Sequence, residues 1–103
     1  MAVKILILKS LEDVIAEVQE VSNGLEVTSY KLENPYTVSI QQSEPSNGSD
    51  VGTKVGFYPY APLAKGSTVE IRSDWVVSIV DPIEEIQKSY EEKVNGKSKT
   101  SDI

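Results

Sequence analysis

The chain has no cysteine and no histidine. Without cysteine there is no disulfide framework, thiolate nucleophile, cysteine-ligated zinc or iron–sulfur cluster. Without histidine there is no Ser-His or Cys-His pair and no ordinary zinc or copper site. Catalysis would have to rest on carboxylates, lysine, arginine, serine or tyrosine. Arginine is nearly absent too, since Arg72 is the only one. Basic residues number 10 against 16 acidic, a net charge of −6. That is the wrong sign for coating duplex DNA by counterion release. It leaves open a small local site for single strands, where loops and aromatic rings contribute more than total charge. No run approaches the roughly 18 apolar residues of a membrane span. Nothing reads as a charged segment, an apolar run and a cleavage site in succession. The expectation is a cytoplasmic protein without a membrane partner.

What is present is ordinary for a globular domain: 103 residues, 39% hydrophobic and 25% charged, enough for one domain and one core. So small a core has a poor surface-to-volume ratio, so association with further copies would help it.

The first forty residues read as strands. Val3, Ile5 and Ile7 alternate with Leu6 and Leu8, so both faces are apolar, as in a strand covered twice or lying at an interface. A polar turn at Ser10–Asp13 leads to a second alternation through Val14, Ala16 and Val18. Leu11, Val14, Ile15 and Val18 also fit helical spacing. The strand reading is taken because Ser22-Asn23-Gly24 follows directly, and Asn-Gly is a strong hairpin signal. Leu25 to Leu32 is a further strand. Asn34-Pro35 interrupts it, and Tyr36, Val38 and Ile40 then alternate as a bent continuation or a separate edge strand.

Residues 43–52 carry loop residues, and Val55 to Leu63, aromatic with two prolines, is an edge strand at most. Val69 and Ile71 alternate with polar residues, Ser73-Asp74 turns, and Trp75 to Val80 is apolar on nearly every position. Asp81 then suits a helix N-cap, Pro82 the first helical position and Glu84 the capping box. Ile83, Ile86, Tyr90 and Val94 form one stripe, and Asn95-Gly96 is expected to end the helix.

The carboxylate pairs Glu12-Asp13 and Glu84-Glu85 are adjacent in sequence, so their side chains diverge and suit joint acid–base work badly. Phe57-Tyr58-Pro59-Tyr60 lines a core or subunit contact, or else stacks bases. Arg72 either pairs with a carboxylate in solvent or contacts a base while Asp74 orients it. Asn23 is either a turn residue or an amide offered to a base edge.

Ile71-Arg72-Ser73-Asp74-Trp75-Val76-Val77-Ser78-Ile79 resembles the second Sm motif of the Sm/LSm family: Ile-Arg-Gly, one or two polar residues, then an apolar strand. Ile5 to Val18 is similar to the family's first strand pair. Leu11 to Val18, with Leu32-Glu33-Asn34-Pro35 and a closing strand and helix, resembles small Sm-like proteins of T4-like phages of marine bacteria. The resemblance spans about residues 3 to 94. It implies a strongly bent five-stranded open barrel, edge-to-edge rings, and RNA read at loops around a pore. Apolar faces on both sides of a strand would then supply the ring interface. Arg72 falls on the family's pore-side arginine. Ser73 replaces the usual glycine, and Asp74 falls where a small polar residue is usual. Ser22-Asn23-Gly24 occupies the first motif's loop without its Asp-x-x-Met-Asn pattern. The helix lies at the C-terminal rather than the N-terminal end.

The resulting expectation is a mainly β, five-stranded Sm-like open barrel with one C-terminal helix. The domain spans residues 1–96, with an insertion or edge hairpin at 43–66, the helix at 82–95 and a disordered tail at 97–103. It would form a homo-oligomeric ring binding single-stranded RNA or DNA, with a role in processing or regulation. Arg72 would be the main contact, Asn23 and Asp74 in support, with Ser73 and Gly24 completing the nucleic-acid-binding residues. No cofactor, metal or catalytic residue is expected. The rival is a non-enzymatic phage or bacterial assembly or adaptor protein using the same ring without nucleic acid.

Overall fold

The computed structural model describes residues 2–42 and 53–100. Six strands precede one helix: β1 (Ala2–Leu8), β2 (Asp13–Asn23), β3 (Glu26–Gln42), β4 (Thr53–Pro59), β5 (Thr68–Arg72), β6 (Val76–Val80) and α1 (Glu84–Thr100). A single 3-10 turn, Ser73–Trp75, joins β5 to β6. All the strand pairings are antiparallel. The fold is mainly β with a C-terminal helix, as the alternation implies, but the described residues form six strands rather than five. The additional one is β4, inside the expected insertion, where it pairs with the second half of β3 as an edge strand. The expected loop at 43–52 lies outside the described residues.

The sheet order is β4-β3-β2-β1-β6, with β5 paired to the first half of β3. Residues 14–20 are therefore strand and not helix. β3 runs straight through Asn34-Pro35 as the bent continuation. Ile15 pairs with Tyr36 and Glu17 with Glu33, so Asn34 and Pro35 together face Ala16 alone. This is a β-bulge, and it bends the strand. Asn34 takes a left-handed φ of 51°, which asparagine tolerates better than most residues. Its N–H donates to the Ser67 carbonyl at 2.7 Å, and the Pro35 carbonyl accepts from Tyr60 N–H at 3.1 Å. On one side of the bend β3 serves β5, and on the other it serves β4.

The connection between β5 and β6 forces the sheet to curl. Along the path β5-β3-β2-β1-β6 these two strands are four spacings apart, about 19 Å in a flat sheet. The 3-10 turn joining them advances only about 6 Å. The curl encloses an inner cluster of Leu6, Leu8, Val14, Ala16 and Leu32, with Ile71 and Val76 packed against it from β5 and β6.

The opposite face of β1 and β2 is also apolar, and α1 covers it. Ile15, Tyr36 and Tyr90 form a second buried cluster, flanked by Val3, Ile5, Val38, Phe57, Ile86 and Val94. The two-sided hydrophobicity thus matches the reading of a strand covered twice, by the inner cluster on one face and the helix on the other. Tyr36 and Tyr90 meet edge to face with ring centroids 6.1 Å apart, a favoured aromatic geometry.

The helix boundaries differ from expectation. Gln87 N–H donates to the Ile83 carbonyl, so Ile83 and not Asp81 is the capping residue. The Asp81 carboxylate is instead ion-paired with Lys4 on β1. Ile83 leaves the apolar stripe and is exposed. Asn95-Gly96 does not stop the helix, which continues to Thr100, so residues 97–100 of the expected disordered tail are helical. Residues 101–103 lie outside the described residues.

Candidate nucleic-acid interface

β5 alternates cleanly: Val69 and Ile71 are half-buried, and Thr68, Glu70 and Arg72 are exposed. β-Branched residues at alternate positions favour this one-sided strand. Arg72 closes it, with 84% of its side chain exposed, and its guanidinium donates to Asp74 Oδ2 at 3.2 Å. Asp74 sits in the 3-10 turn, held by Val76 N–H donating to the Ser73 carbonyl. Among the described residues positive φ occurs only at Leu11, Asn34, Gly24 and Gly66. Ser73 therefore adopts a backbone that needs no glycine.

Asn23 ends β2 and pairs with Glu26 across the hairpin. Gly24 supplies the positive φ of 73° that the turn requires. Asn23, Gly24 and Leu25 are all exposed. The register places this turn at the same end of β3 as Arg72. Arg72 lies opposite Ser29, three residues from Glu26, or about 10 Å along the strand. The fold thus brings Asn23 and Gly24 to the same end of the sheet as Arg72, Ser73 and Asp74. Among the described residues no hydrogen bond joins Asn23 to Arg72.

Carboxylates share this end of the sheet with the lone guanidinium. Glu70, two residues back on the same exposed face, accepts from the buried Ser29 hydroxyl at 2.6 Å. Asp74 accepts from Arg72 itself, and Glu26 flanks the hairpin. A phosphate here would meet negative neighbours, whereas a base edge or ring face would not be repelled in this way.

Trp75 was not among the site residues expected from sequence. It follows Asp74 at the end of the turn with its side chain partly exposed, and its carbonyl accepts from Lys9 N–H at 2.9 Å. Its adjacency to Arg72-Ser73-Asp74 was the available signal, masked by its apparent membership of the following strand. In the aromatic segment, Phe57 packs under α1 and Tyr60 against the inner cluster, while Tyr58 stays exposed.

A second feature lies at the β3 bend. Asn34, Pro35, Pro59, Pro62, Gly66 and Val69 line much of a hollow of about 130 Å³. Among the described residues no group of three or more carboxylates is placed to hold a metal. No helix of the described residues is long and apolar enough to cross a membrane.

Residues 1–95 match a family of unknown function, DUF6561. The chain belongs to that family. No curated protein matches it. The DUF6561 match covers both sheet halves, the Arg72 turn and most of α1.

Proposed function

We propose that this DUF6561 chain assembles edge to edge into a homo-oligomeric ring of Sm-like subunits and binds single-stranded nucleic acid, RNA in the first instance. The contacts would be Arg72, Asn23 and Asp74, together with Ser73 and Gly24 in the same two loops. The ring would act in the cytoplasm, in processing or regulation, as a binding protein without chemistry of its own.

The observation that carries this reading is the strand order. Among the described residues, β5 and β6 stand at opposite edges of the curled sheet, each paired on one side, with a single turn between them. An unpaired edge is a template for a further strand. Two such edges on one subunit support a head-to-tail contact that closes by rotation into a ring. β6 leaves Val77, Ile79 and Val80 partly exposed, as an edge awaiting cover would. Each copy in such a ring presents its Arg72 end in the same sense, so the loops would repeat around one face.

The test combines mass by light scattering with fluorescence anisotropy of labelled oligo-U, oligo-A and single-stranded DNA at low and moderate salt. An oligomer that binds, and whose Arg72→Ala variant binds at least about tenfold more weakly at unchanged mass, is the expected result; this loss is that of one good arginine contact. The second reading is an assembly or adaptor ring without nucleic acid. The Arg72–Asp74 pair and the carboxylates at this end of the sheet favour it. A ring that binds no oligonucleotide at low salt would select it.

A further inference from the structure

We infer that Ile83 is an intersubunit anchor, and that it seats in the hollow at the β3 bend of a neighbouring copy. The inference rests on the edge-to-edge reading and adds to it a specific contact outside the paired strands.

Ile83 is an anomaly within its own subunit. It is the capping residue of α1, since Gln87 N–H donates to its carbonyl at 3.0 Å. That position favours Ser, Thr, Asp or Asn, whose side chains satisfy free N–H groups of the first turn. Isoleucine satisfies none. Nor is its side chain repaid by packing, because 66% of the residue is exposed. It continues the exposed apolar series of β6, from Val77 through Ile79 and Val80.

Strand lengths say where such a residue would reach. β5 and β6 are five residues each. Full antiparallel pairing of β6 from one copy with β5 from another sets Val76 against Arg72 and Val80 against Thr68. Beyond Val80 the chain runs past Ser67 and Gly66, and three residues extend about 10 Å. Ser67, Gly66 and Val69 line the hollow, together with Pro35, Pro59 and Pro62. Its volume, about 130 Å³, is well below the ~300–1,000 Å³ of small-molecule pockets. It suits one aliphatic side chain. Ile83 does not line this hollow in its own subunit, and β6 lies at the sheet edge away from β5. A second copy is therefore the occupant the geometry favours.

Because the chain has no native cysteine, the contact can be tested by cross-linking. Ile83→Cys and Ala64→Cys are made separately, Ala64 being an exposed residue at the rim of the hollow. Mixed with diamide as oxidant, the two variants can join positions 83 and 64 only between chains. The expected result is a disulfide-linked dimer whose tryptic map contains the 83–64 peptide pair. In parallel, Ile83→Asp supplies a preferred cap, so it should keep the circular dichroism of the wild type. It should also raise the concentration at which the oligomer half-dissociates by about tenfold or more, the loss of one interface anchor. A ring of unchanged stability in Ile83→Asp, with no 83–64 bond, overturns this inference and leaves the ring standing. A wild type that is monomeric at every concentration overturns both.

Discussion

The Tyr90 hydroxyl donates to the carbonyls of Asn34 at 2.9 Å and Glu33 at 3.2 Å. One buried side chain on α1 thereby satisfies backbone groups at the bend of β3, where the ladder is broken. Burial, and secondarily the Glu17 carboxylate, pushes its phenol well above the ordinary value of 10.0. The neutral phenol is thus the form the fold favours. Its contribution to stability is complete below pH 10 and is lost as pH rises above it toward the folded value. Tyr90→Phe should cost about 1 kcal/mol at neutral pH in urea unfolding and should flatten the alkaline loss of stability above pH 10. An unchanged alkaline slope would show that Tyr90 does not carry it. At this scale the sequence was informative about polar turn residues and poor about partners. Arg72 and Asp74 could be paired because they are two residues apart. Tyr90 looked like one member of a helical stripe, because its acceptors are main-chain atoms more than fifty residues away.

The elements that local pattern defines were legible: the alternations of β1, β2 and β5, the Asn23-Gly24 hairpin, and a helix after β6. The boundaries set by distant residues were not. Asp81 looks like a cap until Lys4 on β1 draws its carboxylate away, a contact made possible by the pairing of Ile5 with Val80. The Asn34-Pro35 step was readable as a bend but not as a switch of partners. The left-handed φ of Asn34 is central to that switch. Asn34→Val places a β-branched residue there and should destabilise the fold by about 1–2 kcal/mol, with Asn34→Gly tolerated far better. Equal urea midpoints for the two variants would contradict this. The helix-covered face makes a separate prediction. Ile15 is fully buried beneath α1, so Ile15→Ala should lower stability by about 2–5 kcal/mol in chemical denaturation. A loss much below that range would mean the helix packs loosely on the sheet.

At the scale of the molecule, the sheet curls because a short turn must join its two edges, and among the described residues each of those edge strands is paired on one side. The hydrophobicity shared by both faces of β1 reads, from sequence alone, as a strand covered twice or one lying at an interface. In the structure it is divided between the inner cluster and α1. Apolar side chains remain exposed along the β6 edge, at Ile83 and at Trp75, and also singly at Leu11, Leu25, Ile40, Tyr58 and Leu63. The candidate site was legible as two separate loops. Their placement at one end of β3 depends on the register of β5 against β3, which local pattern does not specify.

The most direct test is the mass of the wild-type chain in solution by light scattering, measured together with its binding to labelled oligo-U and repeated for Arg72→Ala. The account predicts a closed oligomer that binds the wild-type probe and an Arg72→Ala oligomer of equal mass that binds at least about tenfold more weakly. A wild type with the mass of a single chain, or a ring whose binding is indifferent to Arg72, would contradict it.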